Sequence, residues 1–122
     1  QLSVDNPRVS APATRRDSMV QTVSTKAEFD AVIKGNNLVV VDFTASWCGP
    51  CQQIKPYFEE LAAKNTAVTF IKVDVDENAA TAQACGISAM PTFQYYKGGA
   101  KVDENKGANK GHLDAKVAAL QA

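Results

Sequence analysis

The chain has 122 residues, and thirteen basic side chains balance thirteen acidic ones. Zero net charge argues against capture of nucleic acid or of an anionic membrane surface, and the length suits one domain with a real core rather than two. Apolar residues make up 45% of the sequence, ordinary for a globular protein, and no apolar run approaches the roughly 20 residues of a membrane-spanning helix.

Residues 1–18 carry Pro7, Pro12, Arg8, Arg15, Arg16 and several small polar residues without helical or strand period. They read as a mobile N-terminal extension, with the folded domain over 19–122. The extension is either an added leader or the remnant of an organelle transit sequence, which Arg and Ser favour and Asp5 and Asp17 oppose. Met19 stands where a shorter form would begin.

Val20 to Val23 predicts a short first strand. Thr25 and Glu28 then form a capping box for a helix whose apolar face is Phe29, Val32 and Ile33, ended by Gly35. Leu38 to Thr44 is apolar on both faces apart from Asp42, the pattern of a central strand covered on both sides. Gln52 to Lys64 is an amphipathic helix with Ile54, Phe58, Leu61 and Ala62 on one side and a bend at Pro56. Val68 to Val75 reads as the next strand, and Asn78 to Ala84 as a short helix closed by Gly86. Such alternation predicts an α/β fold with a mainly parallel sheet. Thr92 to Tyr96 and Lys101 to Asn105 then pair as a hairpin across Lys97-Gly98-Gly99, and Leu113, Val117 and Leu120 mark a last helix.

Chemistry concentrates in Trp47-Cys48-Gly49-Pro50-Cys51, at the predicted strand-to-helix junction. Three cysteines are too few for a disulfide scaffold, and two of them sit in this one C-x-x-C, a usage that points to redox work where thiols are kept reduced. Cysteines three apart on a first helical turn lie on one face within reach of a disulfide. Unpaired N–H groups and the positive dipole end at a helix N-terminus favour thiolate. Cys48 gains most and is the expected nucleophile; Cys51, one turn inward, is the expected resolving partner. Half of a zinc site is the competing reading, but no second pair exists and the sole histidine, His112, is far along the chain, so no metal is expected.

Asp42 interrupts the apolar strand that feeds the motif. Burial would raise its pKa and make it a proton acceptor for Cys51, against the plainer reading of a strand-end carboxylate turned to water. Lys72 is either its charge partner or a lysine reaching solvent. Trp47 is either ordinary core or, from its place beside Cys48, a flat contact surface, and Cys85 is a small buried hydrophobe or an incidental surface thiol. The isomer of Met90-Pro91 is left open by these considerations.

Val41-Asp42-Phe43, the five-residue motif, Pro56, Lys72 to Asp76, Met90-Pro91-Thr92-Phe93, Gly99 and Gly107-Ala108 occur in the order and at the spacing of one family. From about Val20 to Leu120 the chain resembles thioredoxin. The resemblance implies a central mixed sheet of about five strands, flanked by about four helices. It implies a general protein disulfide reductase in which Cys48 attacks, Cys51 releases product, and Asp42 with Lys72 tunes and shuttles the proton. Trp47, Gly49, Pro50, Met90, a cis Pro91, Gly107 and Ala108 would line the substrate groove. It further implies no bound cofactor, recharging by an NADPH-dependent thioredoxin reductase, disulfide-containing client proteins, a monomer, and a cytoplasmic setting (mitochondrial or another organelle if 1–18 are a transit remnant). Gly49-Pro50 matches the reductases, whereas isomerases of the family usually carry Gly-His. Thr44 stands where many members have a second aromatic residue, and Gln52 and Gln53 replace a lysine common after the motif. A binding subunit using the same groove without turnover is the rival reading.

Overall fold

The computed structural model describes residues 19–35 and 37–121; the expected N-terminal extension lies outside them. In chain order the elements are β1 (Val20–Thr22), α1 (Lys26–Gly35), β2 (Leu38–Thr44), α2 (Gly49–Lys64), β3 (Thr69–Asp74), α3 (Ala79–Ala84), β4 (Thr92–Lys97), β5 (Ala100–Lys106) and α4 (Lys110–Gln121). The sheet order is β1-β3-β2-β4-β5. β3 runs parallel to β1 and β2, while β4 is antiparallel to both β2 and β5. The mixed sheet and its closing hairpin are therefore as expected.

The apolar run of β2 is explained by its central place, with every residue from Leu38 to Phe43 buried. Side chains alternate across a strand, so β2 feeds two cores at once. Leu38 and Val40 pack with Ile54, Phe58, Leu61, Phe70, Phe93, Tyr95, Leu113 and Val117 beneath α2 and α4. Val39, Val41 and Phe43 pack with Phe29, Ile33, Ile71, Val73 and Tyr96 beneath α1. Phe58 meets Phe70 edge-on at 5.3 Å and Phe93 at 5.6 Å between ring centroids. Burial of one such ring stabilises by roughly 1.5–3 kcal/mol.

Local chemistry sets the element ends. At the start of α1, Thr25 Oγ1 accepts the Glu28 N–H, but the Glu28 carboxylate reaches back to Ser24 N rather than to Thr25 N, so the expected box closes one residue earlier. α2 continues through Pro56 without ending there. Gly86, at φ 69°, ends α3 with paired bonds from Gly86 N to Gln83 O and from Ile87 N to Ala82 O. The β4–β5 hairpin turns on Gly98-Gly99 alone, both at positive φ, because Lys97 pairs with Ala100 inside the ladder.

Candidate active site

β2 delivers the chain to the site. After Thr44 the backbone makes a tight turn, Ala45 to Cys48, closed by Cys48 N–H donating to Ala45 O at 3.2 Å. Cys48 is the N-cap of α2: its backbone is extended, and its Sγ accepts the Cys51 N–H at 3.2 Å. Pro50 follows in the first turn, where a missing N–H costs no helical bond. Cys48 and Cys51 form a disulfide with Cα atoms 5.3 Å apart. Cys48 is 6% exposed and Cys51 1%, so the second cysteine is the more deeply buried of the two, as the spacing predicts.

A small apolar cluster surrounds the pair: Ala45, Cys48 and Cys51, with Met90 and Val75 against them. Met90-Pro91 is cis. Thr92 Oγ1 donates to Ala89 O at 2.6 Å on one side of this peptide, and Gly107 N donates to Pro91 O at 2.8 Å on the other. Gly107 holds φ 91°, a backbone other residues rarely adopt. Met90 is thus brought to the dithiol from distant sequence, with Pro91 buried behind it and Gly107 tied to Pro91 O, and Ala108 next to Gly107 is exposed. Gly49 and Pro50 are exposed as well, and Trp47 is 67% exposed. The indole is nonetheless anchored, with Nε1 donating to Asp76 Oδ2 at 2.8 Å.

Asp42 lies on the α2 side of β2, 4% exposed, and its Oδ1 has no hydrogen-bond partner within the protein. A cavity of about 330 Å³ opens there, lined by Asp42, Thr44, Gln52, Lys55 and Lys72 among others. Burial raises the Asp42 pKa to about 7, partly offset by the positive charge of Lys72. Asp42 and Lys72 are register partners in the parallel β2–β3 ladder, which puts the lysine charge close enough to act on the carboxyl. The strand-end reading, a carboxylate turned to water, fails because the ladder continues past Asp42 to Thr44.

The remaining residues of interest lie elsewhere. Cys85 is half-buried at the end of α3, 3.6 Å from the Tyr96 hydroxyl, and burial raises its pKa. His112 is exposed on α4. Among the described residues no three or more His, Cys, Asp or Glu side chains stand together as a metal site, and no helix is long and apolar enough to cross a membrane. Asp76 belongs to the Lys72 to Asp76 run that carries the resemblance, but the sequence assigns it no role. Its signal was position: it follows the carboxyl end of β3, the same sheet end that carries the motif.

A disulfide-forming cysteine pair at a helix N-terminus, on the chain just after a buried carboxylate of raised pKa, marks a protein thiol–disulfide oxidoreductase. The thioredoxin family model matches residues 20–119. The thioredoxin of Geodia cydonium is 54% identical over 102 residues, covering 81% of this chain and 96% of that protein. The thioredoxin of Gallus gallus is 49% identical over 104 residues, 84% of this chain and 99% of that protein. A solved Plasmodium falciparum thioredoxin superposes with a TM-score of 0.80 at 46% identity, covering 81% of this chain and 97% of that one. The chain belongs to the thioredoxin family, and its chemistry is thiol–disulfide exchange through Cys48 and Cys51.

Proposed function

We propose that this protein is a general protein disulfide reductase of the cytoplasm, acting as a monomer and recharged by an NADPH-dependent thioredoxin reductase. The observation that carries the reading is the Cys48–Cys51 disulfide at the start of α2, with Asp42 buried on the strand that leads into it. In the dithiol state Cys48 thiolate attacks a client S–S bond, forming a Cys48–client disulfide and expelling one client thiolate, which takes a proton from water. Asp42 accepts the Cys51 proton, with Lys72 steadying the charge. Cys51 thiolate then attacks Cys48 Sγ, the internal disulfide closes, and the second client sulfur leaves as thiolate. Two electrons have passed to the client, and the dithiol itself carried them, so no bound cofactor is needed.

Trp47, Gly49, Pro50, Met90, Pro91, Gly107 and Ala108 form the client surface, with Trp47, Gly49, Pro50 and Ala108 exposed, Met90 and Gly107 half-buried, and Pro91 buried as the backbone support. An extended client segment pairs with the Met90 backbone, a recognition mode that reads main chain more than side chains and so serves many partners.

The test is an equilibrium redox titration with alkylation and intact-mass readout, followed by NADPH oxidation in the presence of a thioredoxin reductase. A two-electron transition at the reducing end of the scale, with reductase turnover, supports the reading. A markedly oxidising transition points instead to disulfide donation or shuffling, and the lack of a reversible Cys48–Cys51 bond to a binding module.

A further inference from the structure

The side chain of Gln52 does something the exchange mechanism above leaves unused. Its Nε2 donates to Ala45 O at 3.0 Å, the same carbonyl that receives the Cys48 N–H at 3.2 Å. A carbonyl oxygen has two lone pairs, and here both are engaged. The Gln52 backbone N–H meanwhile donates to Cys48 O at 3.2 Å. One residue thus grips the Ala45–Cys48 turn at both ends, by its amide side chain at the entry and by its backbone at the exit. Ala45 is fully buried against Cys48 and Cys51, so the gripped carbonyl belongs to the packing around the sulfurs.

In the oxidised protein the disulfide already ties Cys48 to α2. Once that bond opens, Cys48 is held by its backbone bonds, by the Cys51 N–H on its Sγ and by what braces its turn. Exchange demands in-line approach of sulfur to sulfur, and small displacements of an attacking group are costly in rate. Resting on the thiol–disulfide exchange reading, we infer that Gln52 is a positioning residue whose side-chain amide holds the Ala45–Cys48 turn, and with it the Cys48 sulfur, in register with Cys51 while the ring is open. Glutamine suits the place because it supplies a donor without a fixed charge beside the thiolate and the Asp42 cavity, which it also lines.

Gln52→Met keeps the length and removes the donor; Gln52→Lys keeps a donor and adds a charge. Amide hydrogen exchange in the reduced protein and the reduction rate of a protein disulfide, across pH, are the two readouts. Gln52→Met is expected to speed exchange at Cys48 by about five- to tenfold, the loss of one hydrogen bond, and to slow client reduction several-fold. The Ile71 amide, deep in the sheet, is expected to exchange at the wild-type rate. Gln52→Lys is expected to restore slow Cys48 exchange while moving the pH profile of attack to lower pH. Equal behaviour of Gln52→Met and Gln52→Lys, wild-type exchange at Cys48 in Gln52→Met, or equal acceleration at Ile71 would each overturn the latch. A wild-type protein that reduces no protein disulfide would overturn the functional reading, and with it the catalytic role, whatever the exchange data show.

Discussion

Asp42 and Lys72 stand at paired positions of β2 and β3, yet burial outweighs the lysine, and the carboxyl holds its proton up to about pH 7. A folded-state proton affinity above the unfolded one makes the sign definite. The group's contribution to stability is largest below its ordinary pKa of 3.8 and is lost as pH rises through about 7. By pH 8 the buried charge costs up to about 4 kcal/mol. Asp42→Asn is therefore expected to be more stable than wild type at pH 8, with the gain shrinking toward pH 5, as read by urea denaturation. Equal stability gains at both pH values would rule out the buried charge as their source.

The same substitution is expected to slow resolution. General base catalysis contributes about a hundredfold or more where it operates, so closure of the Cys48–client bond should fall by at least tenfold and lose its inflection near neutral pH. Rapid-quench mass spectrometry of the mixed disulfide measures this directly.

Cys51 is the more deeply buried of the two cysteines, which orders the two steps. Cys51→Ser is expected to accumulate a client covalently bound at Cys48, visible by intact mass, whereas Cys48→Ser is expected to form no adduct and show no turnover. Turnover by Cys48→Ser would sink the mechanism.

Trp47 is exposed but pinned to Asp76. Asp76→Ala is expected to change tryptophan emission while shifting stability by about 1 kcal/mol or less, since the bond is at the surface. Trp47→Ala is expected to raise KM for protein clients with little effect on stability.

Phe58 links α2 to the sheet through Phe70 and Phe93. Phe58→Ala should cost about 3–5 kcal/mol, because the ring leaves a cavity that two neighbouring aromatics cannot fill. Chemical denaturation of the oxidised protein gives the number.

Much of this site was legible in the chain itself. Asp42 betrayed itself by interrupting valines, and Cys48 and Cys51 by their spacing, because both signals are local. Lys72 was ambiguous, since a lysine in a strand reads the same whether it faces bulk water or a cavity; only the β2–β3 register, Asp42 to Lys72, decides. The bonds from Trp47 to Asp76 and from Gln52 to Ala45 were invisible for a related reason: they depend on how a turn folds back, and turns leave no periodic trace. The capping box erred by one residue because a glutamate side chain reaches either of two adjacent amides. Cys85 fell between its two readings, half-buried with its sulfur against Tyr96.

β2 sends alternate side chains into two clusters that have no residue in common, one around Phe58 and one around Phe29. The sheet is thereby a partition, and damage on one side reaches the other only through strand backbone. Energetic losses from truncating Phe58 and Phe29 together should therefore sum, within about 0.5 kcal/mol. The family of substitutions that this chain tolerates can be explored one chamber at a time, with the dithiol seated at the end of the wall between them.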